Sequence, residues 1–472
     1  MHPTSRAFPE NAHRALGDAI LQQSLGIMMR QGFAVRRAKV VARLPEFEAL
    51  REEARALKDH VLEHLDFYLE TFERNVKARG GLVHWCRTAE EARATVLEIC
   101  RAAGARTVTK GKTMIGEEIA INDHLEANGI KPVETDLGEY IIQIRREPPS
   151  HIVAPAVHLA KEQVAESFRR THRHLDPARP LDEPRQMLDE ARAILRQKFL
   201  AAEVGITGAN ILVAETGSSI IVTNEGNGDL TQTLPKVHIV LASIEKVVPT
   251  LEDATLLLRL LARSATGQEF STYTTVSTGP RRPGDPDGPN DYHVVLVDNG
   301  RSALMGSEMQ DMLRCIRCAA CLNHCPVYGA VGGHAYGWVY PGPMGAVLTP
   351  TLLGIGEAAH LPNASTLCGK CESVCPVKIP LPRLMRHWRE RAFEQDITPR
   401  ATRWGLSAWA YLAERPPLYR LVSATAARVL GWLGRGHGRF RTLPLAGGWT
   451  SVRDMPAPEG RSFMSLWTER RR

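Results

Sequence analysis

Apolar residues early in the chain recur at helical spacing. Leu57, Val61, Leu65, Tyr68 and Leu69 fall on one helical face, and Gly80-Gly81 ends the run. Residues 12–79 therefore read as a helical lead-in. From residue 82 the pattern changes to short apolar runs separated by amphipathic stretches. Runs at 82–85, 106–109, 132–135, 140–144, 211–215, 219–223, 237–242 and 293–297 predict strands. Stretches at 89–103, 116–128 and 186–204 predict helices, the first two stopped by Gly104 and Gly129. Strands alternating with helices of this length predict an α/β fold, a largely parallel sheet with helices on both faces. Functional groups in such folds lie on loops beyond the carboxyl ends of the strands.

The second half of the chain is less periodic. Residues 281–290, RRPGDPDGPN, are a turn-rich loop. Beyond residue 386 the chain reads as helical. Leu418, Leu421, Val422, Thr425, Val429 and Leu433 form a stripe after Pro416-Pro417. Six of the eight tryptophans lie here, at Trp388, Trp404, Trp409, Trp432, Trp449 and Trp467. The division expected from these shifts is a helical segment over 1–80, an α/β domain over 81–303, a cysteine-bearing domain over 304–385 and a basic, Trp-rich helical region over 386–472.

Composition fits a globular chain, with 43% hydrophobic and 24% charged residues. No apolar run is long enough to span a bilayer, and residues 1–10 lack the apolar core of a signal peptide. The expected location is the cytoplasm, with peripheral contact to the inner membrane face left open. The formal charge of +7 is uneven. Residues 376–472 hold eighteen Lys and Arg against seven Asp and Glu, a net +11 that leaves −4 for the rest. Such a surplus is either a solvated basic face or a surface for an acidic partner or an anionic membrane. No nucleic-acid-binding motif accompanies it.

The cysteines carry the sharpest chemical signal. Seven of nine fall in two runs that each end in Cys-Pro: Cys315-x2-Cys318-x2-Cys321-x3-Cys325-Pro326 and Cys368-x2-Cys371-x3-Cys375-Pro376. Thiolates every third residue can wrap three corners of one iron–sulfur cube, while the cysteine before the proline reaches a neighbouring cluster. Crossed ligation assigns Cys315, Cys318, Cys321 and Cys375 to one complete cube, a 4Fe-4S cluster. Cys325, Cys368 and Cys371 are left for a second cluster one thiolate short, because Ser365 stands where a further cysteine would fall. That cluster is either a three-iron form or a four-iron form whose last iron takes serine, water or a substrate oxygen. Structural zinc prefers paired C-x2-C units and does not explain the third cysteine or the prolines. Disulfide frameworks belong to small secreted domains.

Other motifs say less. Lys110-Gly111-Lys112-Thr113 has Arg106 where a phosphate loop requires glycine. No Gly-x-Gly-x-x-Gly fingerprint marks a nicotinamide or flavin site. The small polar turn at 215–219, with VTNEGN close behind at 222–227, is either an anion-binding loop or an ordinary strand connection. His324 and His334 suit hydrogen bonding around a cluster rather than ligation. Cys86 and Cys100 read as inert buried thiols. No residue is assigned a catalytic role.

Three segments together resemble a known family. MLRCIRCAACLNHCPV at 312–327, GGHAYGWVYPGPMGAVLTP at 332–350 and STLCGKCESVCPVKIPL at 365–381 are similar to the lactate-utilisation iron–sulfur proteins of bacteria. TKGKTMIGEEIAINDHL at 109–125 and AETGSSIIVTNEGN at 214–227 resemble that family's lactate-utilisation domain. The resemblance implies an α/β domain like ribose-phosphate isomerases and CoA transferases, and a cluster domain like the helical ferredoxin of succinate dehydrogenase. It implies L-lactate oxidation to pyruvate with two partner subunits, a Cys-rich iron–sulfur subunit and a second lactate-utilisation-domain protein. Two readings of function follow. One is an electron-transfer subunit of that system. The other is a self-sufficient oxidoreductase that binds the hydroxy acid itself and uses the cluster lacking a thiolate.

Overall fold

The computed structural model describes residues 3–443, 450 and 453–471. The chain divides into two compact units, Met1–Ala392 and Phe393–Arg472.

The first unit opens with five helices, Phe8–Gly17, Ala19–Gln31, Phe33–Val41, Phe47–Glu63 and Leu65–Ala78. Asp18 starts the second by accepting a hydrogen bond from Leu21 N. Phe47, Leu50, Ala54 and Val61 are buried along one face of the fourth. The lead-in stops at Gly80, whose φ is +86°, followed by Gly81, where a Cβ would meet Val76 at 2.8 Å and Tyr292 at 2.9 Å.

Ten strands follow: β1 (Leu82–Cys86), β2 (Thr107–Lys110), β3 (Lys131–Glu134), β4 (Val204–Gly208), β5 (Ile211–Val213), β6 (Ser218–Thr223), β7 (Val237–Ser243), β8 (Val247–Val248), β9 (Tyr273–Ser277) and β10 (Asp291–Val297). Six form one sheet in the order β1-β10-β7-β4-β2-β3, all parallel. The others form a mixed sheet, β8-β5-β6-β9. In β7 every residue is buried, as a central parallel strand covered on both faces requires. Val108, Val204, Ile239 and Val295 face one core, and Val240, Val294 and Leu296 face another with Leu65, Phe72 and Val76 of the lead-in. A larger core joins Leu25, Phe47 and Leu50 of the lead-in to Tyr328, Val347 and Met385 of the cysteine-bearing segment.

Three local expectations are corrected. The apolar run 140–144 is not a strand but part of the helix Leu137–Arg145. Asp136 caps that helix by accepting from Gly138 N and Glu139 N, and the cap outweighs the β propensity of the isoleucines. The stretch 116–128 is two helices, Met114–Glu118 and Ile121–Ala127, split where Ala120 turns left-handed at φ 52°. The stretch 186–204 is helical only in Pro184–Ala201, and Val204 opens β4.

The second unit contains the helices Arg400–Ala413 and Pro416–Gly434, a two-stranded pair at Arg439–Phe440 and Met455–Pro456, and the helix Phe463–Arg470. No residue of Arg400–Ala413 is buried. Trp404 is 77% exposed, Trp409 63% and Trp432 67%. Trp388 instead belongs to the first unit, buried with Nε1 donating to Val347 O at 3.0 Å. Trp449 lies outside the described residues. No described helix is long and apolar enough to cross a membrane.

Candidate metal centre and adjoining cavity

The two cysteine runs are folded by the same local device. In the first, Arg317 and Ala319 are left-handed, at φ 58° and 63°, and the short helix Ala320–Asn323 follows. In the second, Leu367 and Gly369 are left-handed before the helix Lys370–Ser373. Each curl sets the cysteines of its run on a tight turn. Each proline then redirects the chain. Cys325 Sγ accepts from Tyr328 N at 3.5 Å, and Cys375 Sγ accepts from Ile379 N at 3.4 Å.

Cys315, Cys318, Cys321 and Cys375 line one small cavity together with Ile152, Arg317 and Met344. Three come from the first run and one from the second. Cys325, Cys368 and Cys371 lie within electrostatic reach of one another, and Cys321 within reach of Cys371. Cys368 is exposed. Burial raises the thiol of Cys371 to about 12 and that of Cys375 to about 11. As free thiols these groups would stay protonated. Thiolates here require compensating positive charge.

That charge is present. Arg51 donates twice to Cys375 O, at 3.0 and 2.7 Å, and Arg37 donates to Val374 O at 3.1 Å. Arg317 pairs with Glu245 at 3.2 Å, and Glu245 pairs with Arg301 at 3.2 Å. Arg301 pairs with Glu118 at 2.6 Å, and Tyr340 OH donates to Glu118 at 2.6 Å. Lys58 donates to the Glu245 carbonyl. Burial lowers Lys58 and Lys246 to about 8, and both sense Cys315. Four cations, Lys58, Lys246, Arg301 and Arg317, thus surround two buried carboxylates beside the cysteines. Two donors are left over. Arg317 Nη1 and Arg37 Nε are buried without a partner, and their guanidinium groups sense Cys315 and Cys318 respectively. Four convergent thiols, excess buried cations and orphaned donors fit an anionic, sulfur-rich group in this cavity. Iron–sulfur clusters have that character.

A second cavity, of about 430 Å³, lies beyond the carboxyl ends of β2, β3, β4 and β7. Its wall includes Lys112, Asp136, Asn210, Glu225, Lys246 and Arg317. Ile152 and Arg317 belong to both cavities.

The remaining candidates sit elsewhere. Lys110 is a fully buried ion-pair centre, held by Glu117 at 2.5 Å and Glu134 at 2.8 Å. The turn at 215–219 is internally satisfied. Asn75 donates to Ala214 O and Glu215 O, the Glu215 carboxylate accepts from Leu251 N, and Ser219 bonds Tyr292. That turn is a strand connection clamped to the helix Leu65–Ala78, while Val222, Thr223, Asn224 and Glu225 behind it do line the larger cavity. His324 bonds Ala320 O at 2.8 Å and His334 bonds Pro148 O at 2.8 Å. Neither is among the residues lining the cysteine cavity. Ser365 Oγ accepts from Leu367 N in its own loop. Cys86 and Cys100 are buried, and burial raises Cys100 to about 12. Among the described residues the one group of three or more His, Cys, Asp or Glu with ligand atoms within 4.8 Å of one another is His60, Glu63 and His64, exposed on the lead-in and offering no thiol. Sequence reasoning missed Arg317, Lys246 and the Glu118–Arg301–Glu245 network. Of these only Arg317 carried a signal, its place between Cys315 and Cys318.

Three family models match the chain: LUD domain at residues 69–297, 4Fe-4S dicluster domain at 311–379 and the C-terminal domain of lactate utilisation protein B at 395–472. Lactate utilization protein B of Bacillus licheniformis is 43% identical, over 99% of this chain and 98% of its own length. Its Bacillus subtilis counterpart is 40% identical over 98% and 96%. An uncharacterized electron transport protein of Escherichia coli, YkgF, is 41% identical over 97% and 95%. A solved structure of a DUF162 family protein from Deinococcus radiodurans aligns with 49% of this chain and 98% of its own, at 12% identity and a TM-score of 0.27.

Proposed function

The chain belongs to the lactate utilisation protein B family, and on that premise we propose that it is the electron-transferring iron–sulfur subunit of a system that oxidises L-lactate to pyruvate. The observation that carries this is the cavity shared by Cys315, Cys318, Cys321 and Cys375. These four would hold one cube. Cys325, Cys368 and Cys371 would hold the second cluster, with its last position left to a non-thiolate ligand. Once bound, two adjacent clusters supply one-electron carriers that can divide the electron pair a 2-hydroxy acid releases.

The chain's own residues set the conditions. Arg37, Arg51 and Arg317 neutralise the thiolates and the charge they enclose. Tyr328, Tyr336 and Met344, all buried, keep water from the centre. Cys368 brings the three-cysteine set to the surface, where a partner can exchange electrons. The partners fitting this reading are a second iron–sulfur subunit and a second protein with a lactate-utilisation domain.

The test is anaerobic reconstitution of the full chain followed by iron and sulfide analysis and electron paramagnetic resonance. About seven or eight irons per chain are expected for two clusters of this type. L-lactate should bleach the visible chromophore when the partner subunits are present and leave it unchanged without them. A single cluster, or tetrahedral zinc, in fully loaded protein would overturn the assignment.

A further inference from the structure

The cavity of about 430 Å³ beyond the strand ends has the size of a ligand site and an unbalanced wall. Arg36, Lys112, Lys246 and Arg317 stand in it against Asp136 and Glu225. Neither Lys112 nor Lys246 has a carboxylate within ion-pair distance among the described residues, although Glu225 lies within electrostatic reach of Lys112 and Glu245 of Lys246. Lys112 Nζ donates to Val153 O at 2.5 Å, and Lys246 Nζ reaches only Asn210 O at 3.4 Å. Arg317 Nη1, in the same wall, is buried without a hydrogen-bond partner, so an anion in the cavity meets a donor that the protein leaves open. Ile221, Leu241 and Leu261 make another part of the wall apolar. A ligand with a carboxylate at one end and a short alkyl group at the other satisfies both parts.

The position narrows the class further. Arg317 and Ile152 separate this cavity from the four-cysteine cavity, so a bound molecule lies one side chain away from the first set of thiols. No cysteine lines the site; it adjoins the complete four-cysteine set through the shared Ile152 and Arg317. We propose that the cavity binds a short 2-hydroxy- or 2-oxocarboxylate, its carboxylate on Lys246 and Arg317 and its alkyl end on Ile221 and Leu241. The choice of acid rests on the lactate-utilisation reading above, whereas the anionic character rests on the wall alone. Since the volume exceeds that of a three-carbon acid, four- and five-carbon 2-hydroxy acids should also enter.

The test is calorimetric titration of the reconstituted full chain with L-lactate, D-lactate, pyruvate, acetate and inorganic phosphate, with iron and sulfide measured on the same samples. Saturable binding of a lactate or of pyruvate is expected, tighter than acetate or phosphate and weakened at least tenfold in Lys246→Met when compared at equal iron content, because Lys246 also stands among the cations beside Cys315. Lys112→Met, outside that group of cations, should weaken binding with iron content unchanged. Absence of binding in iron-replete protein overturns the site. So does binding that neither substitution weakens, and phosphate binding tighter than either acid overturns the ligand class. Protein that binds the acid but takes up no clusters would keep the site and remove the electron-transfer reading.

Discussion

Arg317 Nη2 lies 3.2 Å from the Glu245 carboxylate, which ties the loop between two cysteines to the residue just beyond β7. The contact is buried on both sides, at 8% and 2% side-chain exposure. Glu245 also answers Arg301 at 3.2 Å. Burial alone would raise the Glu245 carboxyl, but Arg301 and Arg317 hold it at about 2. The carboxylate is therefore ionised throughout the working range and serves as the hinge pin between sheet and cysteine loop.

Removing that charge should be expensive. In Glu245→Gln, Arg301 and Arg317 lose a shared counter-ion in a site closed to water. Breaking a buried pair from one side costs about 3–5 kcal/mol. Thermal unfolding of the reconstituted protein should shift down by several degrees, and iron retention should fall because the Cys315–Cys318 loop loosens. A variant with unchanged melting and full iron would show that the network does not fasten the loop.

The two cysteine sets should fail separately. Cys318→Ala should remove or convert the first cluster and leave the signal of the second. Cys371→Ala should do the reverse. Ser365→Cys should supply the missing thiolate and lower the potential of the second cluster only, provided the 365–367 loop gives up the Ser365–Leu367 hydrogen bond. Paramagnetic resonance of each variant checks all three. Loss of both signals together in Cys371→Ala and in Cys318→Ala would mean that the sets are not independent centres.

Acid sensitivity follows from two buried histidines. His238 is lowered to about 3 and His151 to about 4, in each case chiefly by burial. His151 Nδ1 accepts from Val153 N and Ala154 N, so the neutral ring donates from Nε2 to Asn323 Oδ1 at 3.0 Å. Unfolded histidine titrates near 6.5. Between that value and the folded pKa the unfolded chain binds more protons, so stability is full above about 6.5 and falls as pH drops below it. Each histidine contributes at most about 1.4 kcal/mol per pH unit. Melting temperatures from pH 7.5 to 5.5 should decline less steeply in His238→Gln than in wild type. Parallel curves would exclude His238 as a source of the slope.

What the sequence disclosed tracks how local each cause is. The β-period runs 82–85, 237–242 and 293–297 announced β1, β7 and β10 because each strand is continuous and apolar. β8 is two residues long, and β9 is mostly exposed with two adjacent threonines, so neither had an alternating apolar pattern to detect. The run 140–144 misled because isoleucines dominate it, although Asp136 and Glu139 already spelled a helix start. The cysteine spacing is a local code and needs no fold to be read. The larger cavity is assembled from residues after β2, β3, β4, β6 and β7 together with Arg317. Its members run from Phe33 to Tyr340 in the sequence, and no one-dimensional pattern joins them.

The second unit is expected to dock a partner. Trp404, Trp409 and Trp432 are exposed there, and residues 393–472 carry thirteen Arg against six Asp and Glu, a net +7. Exposed Trp alongside Arg is the composition of an interface, and charge of one sign steers an oppositely charged partner. Trp388 is part of the first unit's core, so a truncation that tests docking must spare it. Removing residues 398–472 does this and removes none of the nine cysteines, the last of which is Cys375. The truncated protein should keep full iron and its chromophore yet fail to co-purify with the partner subunits. In the intact chain the association should weaken with added salt, because rim charges are screened within about 8 Å at physiological ionic strength. Substituting Trp409→Ala and Trp432→Ala together should weaken assembly at low and high salt alike, separating anchoring from steering. Loss of the chromophore on truncation would instead make the second unit a structural support of the cysteine centre. Assembly of the truncated protein at wild-type affinity would place the docking surface on the first unit.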